Sequence, residues 1–288
     1  MSAAIAEIVD VPESVYHADD LYARPSLSKS VIQTLLTKSA AHAWAAHPKN
    51  PECVARTDEK KYDVGTAAHK LFLEGRDDTV VVVDADSWRT GAARAERDAA
   101  YAAGLTPLLA KDYAAVQTMA AAIRPQLDKV DAWPQLFAGG KPEQTLVWEE
   151  AGLLCKARLD WLHDDHVAID DLKTTGASAA PESWGKTMLG FGGDLQMAFY
   201  LRGARAVLGR TPDFRFAAVE TAPPHALTVF SVAPDALALA DARIDYAIGV
   251  WRKCLETGVW PSYPRRVCYV QSQPWAEAQW FDREARDA

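Results

Sequence analysis

The stretch VAIDDLKTT, Val167 to Thr175, begins with apolar residues and ends with two carboxylates, a lysine and two hydroxyls. Side chains alternate along a strand, so one face of this stretch carries Val167, Ile169, Asp171 and Lys173. That face is apolar at its start and charged at its end, which predicts a strand running from a core into a cleft. A strand-end ion pair of Asp171 and Lys173 is the plainer interpretation, because such pairs are common.

The segment before it, CKARLD, shows the same alternation, with Lys156, Arg158 and Asp160 on one face. The short turn HDD between the two segments predicts an antiparallel hairpin, which brings Asp160 near Asp171 if the pairing register permits. Two carboxylates that converge beside a lysine repel each other unless a cation lies between them. The pattern therefore predicts a Mg²⁺ or Mn²⁺ site completed by substrate phosphate. The alternative is a polar strand that faces solvent.

Three further segments carry residues that could join this site. In VGTAAHKLFLEG, His69 lies on a predicted helix, where it is either a ligand or a structural residue. In GDLQMAFYLRG, Gln196 and Tyr200 are at i and i+4 on one helical face, so they form either part of a site or a local pair. Glu143 opens the first strand of the sheet and is either another acid of the cleft or a surface residue.

The order of segments predicts a single domain over residues 1–288, of the α/β (α+β) class. Helical spacing predicts helices over 27–47, 64–74 and 181–208, two helices between 87 and 127, and a long helix over 234–256. The strand-like segments are TVVVV, EQTLVWE, GLLCKARLDWLH, HVAIDDLKT, FRFAAVET and ALTVFSV. We expect a central mixed sheet with antiparallel hairpin strands, flanked by helices. An arm and helices occupy 1–135, the sheet core 140–232, and a C-terminal helix and tail 233–288.

Composition limits the function classes. The 288 residues carry 31 basic and 39 acidic side chains, a net charge of −8, so a nucleic acid would have to be bound by a local basic patch. No apolar run is long enough for a membrane span and the N-terminus has no secretory pattern, which predicts a cytoplasmic protein without membrane association. The four cysteines have no paired spacing, so we expect neither a zinc nor an iron–sulfur site.

Taken in order, GTAAH, EQTLVW, CKARLD, DLKTT and QMAFY resemble the PD-(D/E)XK nuclease superfamily, and within it the RecB-like branch. The resemblance is strongest to the nuclease domain of the phage-type exodeoxyribonuclease VIII (RecE) group and covers about Tyr16 to Val232. It implies a Mg²⁺- or Mn²⁺-dependent exonuclease that degrades double-stranded DNA ends from 5′ to 3′ in recombination or phage replication. A structure- or site-specific endonuclease and a non-catalytic DNA-end-binding subunit are the alternatives.

The resemblance also implies roles for individual residues. The metal ligands would be His69, Asp160, Asp171 and the carbonyl of Leu172. Lys173 would position or activate the attacking water and stabilise charge on the scissile phosphate. Gln196 and Tyr200 would support the site or bind the DNA strand, and Glu143 would match the acidic position before the core.

Two further expectations concern what the site binds. Lys156 and Arg158 are candidate ligands for neighbouring phosphates, because they lie on the same strand face as Asp160. The implied partners are double-stranded DNA ends and, from family habit, a single-strand annealing recombinase, with a homo-oligomeric ring as the assembly that such nucleases often form.

Overall fold

The computed structural model describes residues 4–53 and 63–287, with only the backbone of Asp63. Its strands are β1 (Ala6–Val9), β2 (Ser26–Leu27), β3 (Val80–Val83), β4 (Thr106–Leu109), β5 (Gly140–Glu150), β6 (Leu153–His163), β7 (Ala168–Thr175), β8 (Asp213–Glu220) and β9 (Leu227–Phe230). Its helices are α1 (Glu13–Ala18), α2 (Lys29–Thr37), α3 (Ala40–Ala45), α4 (Asp63–His69), α5 (Gly91–Ala102), α6 (Ala110–Leu127), α7 (Pro181–Gly190), α8 (Gly193–Leu208), α9 (Pro234–Thr257) and α10 (Pro274–Asp287).

The centre of the molecule is a seven-stranded mixed sheet with the path β1-β5-β6-β7-β8-β9, to which β2 is added alongside β6. The pairs β5–β6 and β6–β7 are antiparallel, as the short turns EEAG and HDD between their sequences predict. Strands β8 and β9 are also antiparallel, whereas β7 and β8 are parallel. Strands β3 and β4 form a separate two-stranded parallel sheet. The predicted class, a mixed sheet flanked by helices, is confirmed.

Apolar side chains fill both faces of the central sheet. On one face the buried core lies under α2, α8 and α9 and includes Trp148, Phe199, Phe214 and Trp251. On the other face a second core lies under α4 and α6 and includes Ile123, Leu136 and Leu172. Strands covered on both faces are apolar in nearly every position, so the charges that remain inside them need specific partners.

Strands β6 and β7 pair only briefly and then separate. Two residue pairs join them, Trp161 with Asp170 and Leu162 with Ile169. Beyond these pairs β7 follows β8 along its whole length, while β6 continues beside β2, which pairs with it in parallel at Leu154 and Cys155. We call the opening between the diverging β6 and β7 the strand fork.

The structure divides two helices that were predicted as continuous. The predicted helix 27–47 is α2 followed by α3, because the Ser39 side chain accepts a hydrogen bond from the His42 N–H and so begins a new helix. The predicted helix 181–208 is α7 followed by α8, and Gly192 between them has a φ of 76°, a conformation that ends a helix. The predicted helix 64–74 is α4 continued by a π-helical turn over Lys70–Glu74.

Other expectations for the elements are confirmed or extended. The two helices between 87 and 127 are α5 and α6, and the break between them contains the short strand β4, which was not predicted. Helix α9 begins with Pro234 in its first turn and ends at Thr257, one residue beyond the predicted range 234–256. The tail contains the unpredicted helix α10, which has no buried residue. Within the described ranges, none of the helices combines the length and the apolar character that crossing a bilayer requires.

Candidate active site

The candidate site lies in the strand fork. The register that pairs Trp161 with Asp170 would place Asp160 opposite Asp171, but the ladder ends one residue before them. The backbone N–H of Leu172 donates to a side chain of β6, at Asp160 Oδ2, over 2.8 Å. The hairpin therefore brings the two carboxylates together at the point where the strands part, as the turn between them predicts.

Asp171 is the most buried acid of the site, at 1% exposure. Its Oδ1 accepts a hydrogen bond from Lys173, which lies on the same strand face, and its Oδ2 accepts one from Gln196 of α8. Burial by itself lowers the pKa of Lys173, but the charges of Asp171 and Asp160 outweigh it and raise that pKa above its ordinary value. Lys173 is therefore held as a cation beside both carboxylates.

His69 reaches the site from the opposite layer of the molecule. Its Nδ1 lies 3.5 Å from Asp160 Oδ2. Helix α4 can approach β7 closely because Gly65 has no side chain, since a Cβ there would lie 3.2 Å from Thr174 Oγ1. Burial, followed by the charge of Lys173, lowers the pKa of His69, so the imidazole is neutral and able to act as a ligand near neutral pH.

Glu143 also belongs to the site, and its backbone conformation is unusual. Its φ is 55°, in the left-handed region that non-glycine residues seldom occupy. The β5–β6 pairing is interrupted there, with Pro142 and Gln144 paired to β6 on either side of it. Strained residues of this kind are concentrated at functional sites. The interruption directs the Glu143 carboxylate toward Asp160.

Among the residues that the structure describes, the group able to hold a metal ion consists of His69, Glu143 and Asp160, whose ligand atoms lie within 4.8 Å of one another. Asp171 is not in this group, although its charge acts on Asp160. Burial, and after it the charge of Asp171, raises the pKa of Asp160, while burial and the charge of Asp160 raise that of Glu143.

The raised pKa values of Asp160 and Glu143 bear on whether a cation fits the site. Half-buried acids that repel one another regain their charge when a divalent ion is placed between them. Carboxylate oxygens with one imidazole are ligands that suit Mg²⁺ or, with somewhat better acceptance of the imidazole, Mn²⁺. The donor set present in the strand fork thus fits a divalent metal, with Glu143 as a stronger ligand candidate than the sequence indicates.

The two predicted residues of α8 have different surroundings. Gln196 is buried and bonds directly to Asp171. Tyr200, one turn later, packs edge-on against Phe214 with ring centroids 6.1 Å apart. Burial is the main reason why the pKa of Tyr200 is raised well above its ordinary value, and the negative charges of the site add to the effect. Tyr200 is therefore a neutral phenol at the edge of the site.

The expectation that Lys156 and Arg158 grip phosphates does not agree with the structure. Lys156 is 6% exposed, and its Nζ donates to Asp19 Oδ1 at 2.5 Å and to the carbonyl of Tyr16 at 2.6 Å. Arg158 Nε donates to Glu143 Oε2 at 2.5 Å. Both cations are engaged with protein groups, because the N-terminal segment covers the strand face that was expected to be open.

Lys29 is a residue near the site that the sequence does not reveal. Its Nζ donates to the carbonyl of Phe191 at 2.7 Å, and the charges of Lys173 and Asp171 act on it. In the sequence, Lys29 is one polar residue of the run SLSKS, which indicates only the start of a helix. No local pattern relates it to a sheet more than a hundred residues away.

A solved structure shares this architecture. The fold is similar to the crystal structure of a "Putative exonuclease" from Eubacterium rectale, with a TM-score of 0.60 and 14% sequence identity over 93% of this chain and 98% of that chain. A structure designated SSO0001 has a TM-score of 0.28 and 11% identity, over 66% of this chain and 85% of that chain. No curated protein sequence matches the chain.

A family model matches most of the chain, from residue 28 to residue 273, and its description is "PDDEXK-like domain of unknown function (DUF3799)". The matched range contains every residue of the site in the strand fork. The family and the arrangement of acids and lysine together support a nuclease function. By this match, the chain belongs to the PDDEXK-like family DUF3799.

Proposed function

We propose that the protein is a metal-dependent exodeoxyribonuclease that hydrolyses double-stranded DNA from its ends in the 5′ to 3′ direction, in recombination or phage replication. The observation that carries the proposal is the convergence of Asp160, Asp171 and Lys173 in the strand fork of a PDDEXK-like domain. The polarity and the preference for DNA ends rest on the resemblance of the ordered motifs to RecE-type nucleases.

The chain's own residues have separable tasks in this proposal. His69, Glu143 and Asp160 would hold the ion, which when bound lowers the pKa of a water and neutralises charge on the phosphate. Asp171 holds Lys173 in place, and Gln196 in turn fixes the Asp171 carboxylate. The Lys173 amine, a compact cation with rotatable donors, is positioned to orient the attacking water and to stabilise developing negative charge on the phosphate.

The net charge of −8 is compatible with a DNA substrate, because binding depends on the local field of the cleft. The substrate in the proposal is a duplex end, from which the freed strand would pass to a single-strand annealing recombinase. Mg²⁺ is the expected ion, and Mn²⁺ should replace it because one ligand is an imidazole.

The proposal is tested with a linear duplex labelled at a single 5′ end and a covalently closed circle of the same sequence, each incubated with and without Mg²⁺. Release of labelled mononucleotide from the linear duplex before any shortened labelled fragment is the expected result, with the circle left intact. A ladder of labelled fragments would reveal the opposite polarity, and opening of the circle would reveal an endonuclease. If neither substrate changes, the non-catalytic alternative replaces the proposal.

A further inference from the structure

Lys29 is a half-buried cation at the strand fork for which the mechanism above provides no role. It is the first residue of α2 and follows β2 by two positions. Because β2 pairs with β6 on the side from which β7 departs, this short strand brings the start of α2 to the fork. A residue from the N-terminal part of the chain thereby lies near a site built otherwise from residues 69–200.

Among the described residues, none places a counter-charge in direct contact with Lys29. Its Nζ donates to the Phe191 carbonyl at 2.7 Å and lies 5.8 Å from the centre of that residue's ring. In the part of the chain that the structure describes, no carboxylate oxygen is within the 4.0 Å that defines an ion pair with this amine. Burial, and next the like charge of Lys173, lowers the pKa of Lys29 to about 8, against the weaker attraction of Asp171 and Asp194.

The charge of Lys173 acts on Lys29, whose own direct polar contact is a neutral carbonyl, so an anion bound beside Lys29 would be stabilised. Lys173 already bonds to Asp171 beside the metal ligands. In the proposed function, Lys173 therefore acts on the phosphate that reacts. Lys29 is anchored differently, on the backbone at the junction of α7 and α8, where Gln33 also packs against Gly192. Its amine thus lies outside the group of carboxylates that surrounds the reaction centre.

We propose that Lys29 binds a backbone phosphate of the nucleic-acid strand next to the phosphate that is cut. The inference rests on the proposed function and adds a substrate-binding residue to it. A lysine suits this task, because it acts on phosphate as a point charge and requires no bidentate geometry. Removing it should weaken the binding of a polynucleotide but should not slow hydrolysis of a substrate that has a single phosphate.

The test compares Lys29→Met with Lys29→Arg and with Lys38→Met, a matched control at the exposed C-terminal end of the same helix. Binding of a fluorescent DNA duplex is measured by anisotropy in Ca²⁺ at several salt concentrations. We expect Lys29→Met to lose about tenfold in affinity and its log–log salt slope to fall by about 0.9, the value for one phosphate contact. Lys29→Arg and Lys38→Met should retain the wild-type slope.

Hydrolysis of bis(p-nitrophenyl) phosphate in Mn²⁺, a substrate with one phosphodiester, provides the second readout. Its kcat/KM should stay within about twofold of wild type in Lys29→Met, while the KM for duplex DNA rises. The inference would be overturned by an unchanged salt slope in Lys29→Met, or by equal losses of DNA affinity in Lys29→Met and Lys29→Arg. A loss of kcat/KM on the small diester that matches the loss of DNA affinity would also overturn it. A wild-type protein that binds the duplex without cutting it contradicts the proposed function alone, and the slope comparison still decides the role of Lys29.

Discussion

Asp170 and Asp171 are neighbours in the chain, yet their carboxylates lie on opposite faces of the sheet and have no partner in common. Asp171 bonds to Lys173 and Gln196 in the strand fork. Asp170 is fully buried on the other face, where its Oδ1 accepts from Arg215 Nε at 2.6 Å. The alternation of a strand thus assigns one acid to the candidate site and the other to the interior.

Asp170 anchors the segment between α6 and β5. Its Oδ2 accepts from the Phe137 N–H at 2.8 Å and lies 2.7 Å from His163 Nε2. Arg215 also donates to the carbonyl of Pro134 at 2.7 Å. Asp170→Ala should therefore lower the free energy of unfolding by about 3–5 kcal/mol, because it leaves a buried arginine uncompensated. Urea unfolding measures the loss, and Asp164→Ala, on the exposed turn of the same hairpin, should change stability by less than about 0.5 kcal/mol.

Asp171→Ala should reduce activity and not the stability of the fold, the reverse of Asp170→Ala. It removes the carboxylate that holds Lys173, so DNA hydrolysis should fall by orders of magnitude. The fold should persist, because the substitution also removes a negative charge that repels Asp160. Circular dichroism and a nuclease assay in Mg²⁺ and in Mn²⁺ distinguish the two effects, and full activity in either metal would contradict the assigned role.

Lys173→Ala separates metal binding from hydrolysis. The amine is not a metal ligand, and its removal leaves His69, Glu143 and Asp160 in place. Isothermal titration calorimetry with Mn²⁺ should show that binding persists, while hydrolysis of DNA becomes poor. If Lys173→Ala no longer binds the ion, the amine has a different role from the one proposed.

The pH dependence of the metal-free protein depends on Asp160. Burial and the charge of Asp171 raise its pKa from about 4 to about 7 in the folded protein. The folded state therefore binds more protons than the unfolded state within this window, and the contribution of Asp160 to stability decreases as the pH rises through it. Above about pH 7 the full cost of a buried, repelled carboxylate is present.

The comparison of Asp160→Asn with wild type isolates this contribution. Without metal, the melting temperature of Asp160→Asn relative to wild type should increase from pH 5 to pH 8. Added Mn²⁺ should reverse the order at pH 8, because the ion compensates the carboxylate that the variant lacks. A difference between the two proteins that is independent of pH would show that Asp160 does not have the raised pKa on which this prediction depends.

The sequence contains enough information to predict the reaction centre. Alternation along β6 and β7, with a turn too short for anything but a hairpin, predicts that Asp160 meets Asp171 beside Lys173. These contacts are local in the chain, so strand periodicity is sufficient. The deciding detail is that the ladder ends one residue before the acids. It depends on β7 following β8 while β2 takes the place beside β6, and the hairpin sequence alone contains no sign of it.

The contacts of Lys156 and Lys29, and the place of Glu143 among the metal ligands, could not be predicted because they depend on the folded surroundings. The alternation places Lys156 on the strand face of Asp160. It does not reveal that the N-terminal segment covers this face and that Asp19 pairs with Lys156. Glu143 reaches the metal ligands through a backbone distortion at φ 55°, which no propensity indicates for a glutamate. The contacts of Lys156 with Asp19 and of Lys29 with Phe191 join residues more than a hundred positions apart and depend on the assembled sheet.

The position of β2 has a consequence for any shortened form of this protein. The family model begins at residue 28, whereas β1 and β2 lie before that residue and complete the hydrogen bonding of β5 and β6. A polypeptide trimmed to the matched range would expose unpaired backbone on two central strands, which is a template for association between molecules. Such a truncation should precipitate or oligomerise on expression, even with every acid and lysine of the reaction centre intact.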